Sequence, residues 1–419
     1  MKLIIFEDNK IDQLYPLTYL RPAYELKCGH ISLRQRIEKM FPEFTPYYFM
    51  RDYLAPVFSK KLSTDRINQT EALKGDDLLI INGRLLAIDI KIDPSGPDQA
   101  GIKDNDLVYA RLNRDTIDQM TFSDWDSFLQ QLKSKIPTVD IDVPMIDFPW
   151  NLVQNNGRAI KTDFAALPQQ GIFGELSAQA AIIGDKNQIY MAESSSVRPF
   201  VTLDTTNGPI IFEKNVIIHP MTHIEGPCSL DENTQVYGGN IREGCAIGPM
   251  CRIHGEIEES IIHGYSNKHH DGFLGHAYLG EWVNLGAFTT NSDLKNDYTS
   301  VKLYVKGDLV DSGDLKVGSI IGDHTKTSIG TVINTGAMIG IMSNLVGSGN
   351  LLPKFIPSYC WYLNDKVTKG FGLTHMIETA AKSMSRRKVE LTPEEQAMLN
   401  HVFDITREER RFWIKKSFS

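Results

Sequence analysis

The chain has 419 residues, 42% hydrophobic and 23% charged, with a net charge of −8. That composition belongs to an ordinary soluble globular protein, and the length favours two or three domains. The negative balance argues against nucleic-acid binding as the main task, and no apolar run approaches the ~20 residues that cross a bilayer.

The opening "MKLIIF" reads as a first strand and not as a secretory leader, so the cytoplasm is the expected compartment. Strand-like runs "KLIIF", "YYFM" and "DLLIING" then alternate with helix-like "SLRQRIEKMF" and "FSDWDSFLQQLKSKI". This alternation predicts an α/β domain over residues 1–200 with a mainly parallel sheet. "PWNLVQNNGRAI" begins a connecting helix, Asn151 to Ile160. The domain boundary is expected between Ile160 and Phe212, where Gly, Ser and Pro thicken.

Past that boundary the apolar residues recur every six positions. Ile224, Leu230 and Val236 form one run, and Ile241, Ile247 and Ile253 another. Ile261, Asn267, Phe273, Leu279, Leu285 and Asn291 continue it, and Ile321, Thr327, Ile333, Ile339, Leu345 and Leu351 follow. The next residue is often glycine (Gly248, Gly280, Gly286, Gly322, Gly340), and the residue four after the apolar one is small. Cys228, Cys245 and Cys251 fall on the small position, so they read as interior fillers. Cys28 and Cys360 do not, and none of the five forms a C-x-x-C pair, which excludes a zinc ribbon or redox motif of that kind. A period of six with glycines predicts a parallel β-helix over 210–360, three hexads to a coil, with the glycines relieving corner torsions. Between Ser292 and Val317 the glycines vanish, which predicts an excursion as a loop or hairpin.

The end of the chain, 372–417, carries helical spacing and would cap the β-helix. Thr392, Pro393, Glu394 and Glu395 together make a helix start signal there.

The polar segment "NKHHDGFLGHAYLGEWVNLGAF" interrupts the repeat with Lys268, His269, His270 and Asp271. Histidine titrates near neutral pH and suits a general base. The segment resembles the β-helix motif of the bacterial bifunctional N-acetylglucosamine-1-phosphate uridylyltransferase/glucosamine-1-phosphate acetyltransferase family. That family has Lys, a short spacer, a catalytic His and then "YLGDAEIGDNVNIGAG". The resemblance implies a left-handed β-helix that transfers acetyl from acetyl-CoA to an amino sugar phosphate, typically as a homotrimer with shared sites. It puts His270 on the catalytic histidine, with His269 one residue away as competitor. Lys268 falls near the family's lysine, Asn284 on its sugar-contacting asparagine, and Asn291 loosely on a further one, with Asp293 nearby. Phe273 replaces a tyrosine. Ser343 and Lys354 are the expected coenzyme A contacts.

The first domain resembles sugar nucleotidyltransferases less closely. Pro16-Leu17-Thr18 is kept and Arg21-Pro22 lies near a Lys-Pro position, but the Gly-rich phosphate loop is absent. The family's "NGD", whose Asp holds Mg2+, reads Asn82-Gly83-Arg84. Arg21, Lys27 and Arg84 are therefore the phosphate candidates, and the domain either transfers a nucleotide from UTP or dTTP or only binds. Two other readings stay open: a γ-carbonic-anhydrase-like zinc protein using histidines among His254, His263, His269, His270 and His276, and a non-catalytic nucleotide-sugar-binding protein.

Overall fold

The structure, a computed structural model, describes residues 1–419. The chain divides into two compact units. The first comprises Met1–Leu14, Leu20–Leu26 and Ile31–Asp147, and the second Tyr15–Tyr19, Lys27–His30 and Phe148–Ser419.

The first unit is a six-stranded sheet flanked by helices. Its strands are β1 (Lys2–Phe6), β2 (Thr45–Phe49), β3 (Leu78–Asn82), β4 (Gln99–Lys103), β5 (Asp106–Leu112) and β6 (Thr138–Asp140), in the order β2-β1-β3-β5-β4-β6. β1 runs parallel to β2 and β3, and β6 parallel to β4. β5 pairs antiparallel with β3 and β4, a hairpin the alternation did not reveal. Leu3 to Phe6 are fully buried, as a central strand covered on both faces requires. Helix α1 (Leu33–Met40) starts at a capping box between Ser32 and Gln35. In α4 (Trp125–Lys135), Trp125 stacks on Phe6 at 4.5 Å. Two shorter helices, α2 (Ala55–Lys61) and α3 (Arg114–Asp118), complete the unit.

In the second unit, α5 (Pro149–Ala165) leads into a parallel β-helix whose sheets hold ten, eleven and six strands. The coils begin at Gly171, well before 210, and run on through Trp361–Leu363. On one wall Leu230, Ile247, Ile262 and Leu279 stack at steps of 17, 15 and 17 residues. The coil is thus usually shorter than three full hexads, and the frame drifts. In the third run the first three inward residues are accordingly Ile262, Lys268 and Leu274, one position later than expected, while Leu279 and Leu285 hold the expected places. Near the end the frame slips again: Leu351 is 56% exposed, and Leu352 takes the interior place. Cys228, Cys245 and Cys251 lie fully buried in the core, and all five cysteines are free thiols.

The glycines after the apolar residues do not relieve torsion. Gly248 and Gly340 lack positive φ. They are required by close approach: a Cβ on Gly248 would sit 1.9 Å from the His263 carbonyl oxygen, and one on Gly340 would sit 2.3 Å from the Ser358 nitrogen. The left-handed corners fall on other residues, among them Tyr265, Trp282 and His324. These stack on one another, Tyr265 on Trp282 at 4.4 Å and Trp282 on His324 at 6.1 Å, which offsets the strain.

The excursion is a hairpin, Lys302–Val305 against Asp308–Asp311, closed at its base by a Leu294–Lys316 bridge. Three helices end the chain: α6 (Leu373–Ser385), α7 (Pro393–Ile405) and α8 (Arg407–Phe418). Thr392 and Glu395 form the capping box of α7. Tyr359 of the last coils donates to the Leu399 carbonyl at 2.7 Å, and Ile414 packs on the β-helix core, so α7 and α8 cover its end. No helix is long and apolar enough to cross a membrane.

Candidate active site

The polar segment lies on the eleven-stranded wall. There Ile218, Val236, Ile253, Lys268 and Leu285 share one inward rung on successive coils. Side chains on either side of that rung point outward by strand alternation. The residue after it forms an aromatic edge: His219, Tyr237, His254 and His269. His219 stacks on Tyr237 at 4.5 Å, and Tyr237 meets His269 edge-on at 4.6 Å. His254 Nδ1 faces the Tyr237 carbonyl and its Nε2 faces Asp271, each at 3.1 Å.

His270 is exposed at the corner and meets His269 edge-on at 5.1 Å. His269 is half-buried, and its Nδ1 has no hydrogen-bond partner. Burial, and then the charges of His270, His254, Arg252 and Arg387, hold the His269 imidazole below its ordinary pKa. It therefore favours the neutral, proton-accepting form.

Lys268 was expected to reach a phosphate. It instead points into the β-helix and is 2% exposed. Its Nζ donates to the His254 carbonyl at 3.0 Å and to the His270 carbonyl. Burial pulls it down to about 8, opposed by Asp271. The lysine thus fastens from inside the corner that carries the imidazoles.

The residue before the rung forms a polar row: Arg252, Asn267, Asn284 and Lys326. Asn267 donates to the Asn284 amide oxygen at 3.1 Å and accepts from Arg387 at 2.8 Å. Asn284 lines a 310 Å³ pocket between this wall and α6, together with Lys326, Lys382 and Arg387. Arg252, Asn267, Lys326 and Arg387 were not singled out from the sequence. For the three coil residues the signal is the coil step, visible only once its true length is known, whereas Arg387 follows α6 and has no such signal.

Two other expected contacts face inward. Asn291 is 5% exposed and brackets Gly275, accepting from its N–H at 2.8 Å and donating to its carbonyl at 2.9 Å. Ser343 is fully buried and donates to the Pro357 carbonyl at 3.0 Å. Lys354 lies within the coils and not past them: Phe355–Ile356 pairs with Met338–Ile339, and Lys354 Nζ donates to the Lys302 carbonyl. Asp293 receives His276 Nδ1 at 2.8 Å. No group of three or more His, Cys, Asp or Glu side chains is arranged to hold a metal ion, which leaves the zinc reading without a ligand set.

In the first unit Arg84 is fully buried among carboxylates. It meets Asp8 at 2.6 and 2.9 Å, Asp106 at 2.6 Å, and Asp147. Burial works against the charge, but Asp8 and Asp106 raise the Arg84 pKa above its ordinary value. Burial likewise pushes Asp8 up, and Arg84 outweighs it. A guanidinium already holds these acids, so the residues here do not fit Mg2+. Arg21 is 3% exposed, and Lys27, which belongs to the second unit, is 6% exposed with Nζ 2.8 Å from Asp231 there. Neither Lys27 nor Arg84 is open to a phosphate.

The chain joins an α/β domain to a parallel β-helix that carries an imidazole corner. Over residues 3–171 the chain matches the family model described as "Sugar nucleotidyl transferase". Its homologues are transferases. The chain is 37% identical over 90 residues to the bifunctional sugar-1-phosphate nucleotidylyltransferase/acetyltransferase of Sulfurisphaera tokodaii, covering 22% of each chain. It is 25% identical over 183 residues to the bifunctional protein GlmU of Prochlorococcus marinus, covering 35% of this chain and 37% of that one. The matched segments thus span well under half of these relatives. Among solved structures, a UDP-N-acetylglucosamine acyltransferase of Francisella novicida aligns with a TM-score of 0.33 at 14% identity, covering 57% of this chain and 86% of that one. A glucose-1-phosphate thymidylyltransferase of Bacillus anthracis aligns with a TM-score of 0.26 at 12% identity, covering 38% of this chain and 95% of that one.

Proposed function

We propose that the β-helix transfers acetyl from acetyl-CoA to the amine of an amino sugar 1-phosphate, with glucosamine-1-phosphate the expected acceptor. The observation that carries this reading is the open corner at His269 and His270 beside the outward row of Asn267 and Asn284. The sugar amine attacks the thioester carbonyl and a C–N bond forms. His270 takes the N–H proton, the C–S bond breaks, and coenzyme A leaves as a thiolate that takes that proton back. Backbone N–H groups at the corner are the source proposed for oxyanion stabilisation. His269 assists by staying neutral, Asn284 orients the sugar, and Lys268 positions the corner without touching substrate. Lys354 is proposed to meet a coenzyme A phosphate, in which case Lys354→Ala raises the KM for acetyl-CoA. The enzyme is proposed to act as a cytoplasmic homotrimer, to be tested by sedimentation equilibrium. The primary test is coenzyme A release with glucosamine-1-phosphate in wild type and His270→Ala. Unaltered turnover in the variant removes His270 as base.

For the α/β domain the family match supports nucleotidyl transfer from UTP or dTTP to a sugar 1-phosphate. The Arg84 cluster favours a second reading, in which the domain binds a nucleotide sugar without a magnesium-dependent step. Pyrophosphate release from UTP or dTTP with Mg2+ distinguishes the two.

A further inference from the structure

The pocket between the polar row and α6 has a composition the acetyl-transfer reading does not use. Four cations line it: Lys326, Lys382, Arg386 and Arg387. No carboxylate lines it. Lys326 Nζ has only the His324 carbonyl, at 2.8 Å. Arg387 donates through Nη2 to Asn267, while its Nε is buried without an acceptor. Arg252, on the same row, adds repulsion to Arg387. Glu281 lies 4.0 Å from His263, and Asp271 lies 3.1 Å from His254.

Burial without a counter-charge is costly, and it weakens these cations: Lys326 falls to about 8, and Arg387 falls below its ordinary value. Folded proteins ordinarily answer such a cost with an acid. Here the wall, the helix end and the asparagine pair all present donors. The Asn267–Asn284 bond uses the Asn284 oxygen, which leaves its N–H groups to give.

We propose that this pocket is an anion site that holds the phosphoryl group of a phosphorylated ligand, with the end of α6 supplying Lys382, Arg386 and Arg387 as its lid. A terminal helix thereby becomes part of a binding site. The proposal rests on the acetyl-transfer reading only for the ligands tried, a sugar 1-phosphate and coenzyme A.

The test is calorimetric titration of the full chain with inorganic pyrophosphate, glucosamine-1-phosphate, coenzyme A and 3′-dephospho-coenzyme A. Three proteins are compared: wild type, Lys326→Met, and the exposed double variant Lys382→Ala/Arg386→Ala. The double variant leaves the core untouched, so its thermal midpoint should match wild type. Pyrophosphate affinity is expected to fall about tenfold in both variants. A matching fall for coenzyme A alone assigns the pocket to the acetyl donor, and one for glucosamine-1-phosphate alone assigns it to the acceptor. Affinities within twofold of wild type for every ligand, or no binding to wild type, overturn the site. His270→Ala separates the two readings. If it keeps full turnover while the pocket variants lose binding, the base assignment fails and the anion site stands.

Discussion

At the residue scale, two adjacent histidines differ in depth. His270 is exposed, whereas His269 is wedged edge-on against Tyr237. His270→Ala should lower kcat/KM for acetyl transfer by about 10²–10⁴, the usual range for a lost general base, with little change in thermal midpoint. Lys268 carries a different prediction. Its folded pKa of about 8 lies below its ordinary 10.5. The unfolded chain therefore binds more protons between those values, and stability rises with pH across that window. Below pH 8 the ammonium is charged in both states and the full burial cost remains. Lys268→Met should accordingly stabilise the fold by about 1–3 kcal/mol at pH 7, with the gain shrinking above pH 8. Urea melts at pH 7 and 10 check this, and an equal gain at both would refute it. In sequence Lys268 falls near the family's lysine, one residue past the expected frame position Asn267. Only the coil register shows that the frame passes through it.

At the element scale, the repeat is legible because stacking imposes a period, while its phase is not. A step of 15 residues between Ile247 and Ile262 moves the next three inward places one position on, and the expected frame returns at Leu279 and Leu285. The glycines show the same limit: their positions were visible, but the reason is inter-coil approach and not torsion. Gly248→Ala should cost about 3 kcal/mol, since its Cβ would lie 1.9 Å from a carbonyl oxygen. Gly313→Ala meets nothing within 4 Å and has φ +77°, so about 1 kcal/mol is expected. Thermal melts of the two variants should differ accordingly, and similar midpoints would contradict the close-approach account. The Thr392 cap was readable because capping needs only local residues. The antiparallel β4–β5 hairpin was not, because alternation of strands and helices does not specify direction.

At the scale of the whole molecule, the α/β domain keeps a sheet while Arg84 occupies the centre of its acid cluster. Arg84→Ala would leave Asp8, Asp106 and Asp147 facing one another. It should destabilise the first unit by about 3–5 kcal/mol, the cost of stripping a buried charge of its partner. Amide hydrogen exchange of Leu3 to Phe6 and Leu78 to Asn82 reports on that unit, and a change under 1 kcal/mol would show that the cluster is not needed. The sequence by itself determined what depends on local pattern: the repeat, the two architectures, the end helices, and the pair of histidines that breaks the frame. Tertiary structure alone decided which charges are spent and which are on offer. Lys268, Lys27 and Arg84 are spent on carbonyls and carboxylates inside the fold, while Lys326 and Arg387, unmarked by any motif, face a common pocket. Coils of unequal length and a returning terminal helix choose those neighbours, and a charge acquires its role from the neighbours it meets.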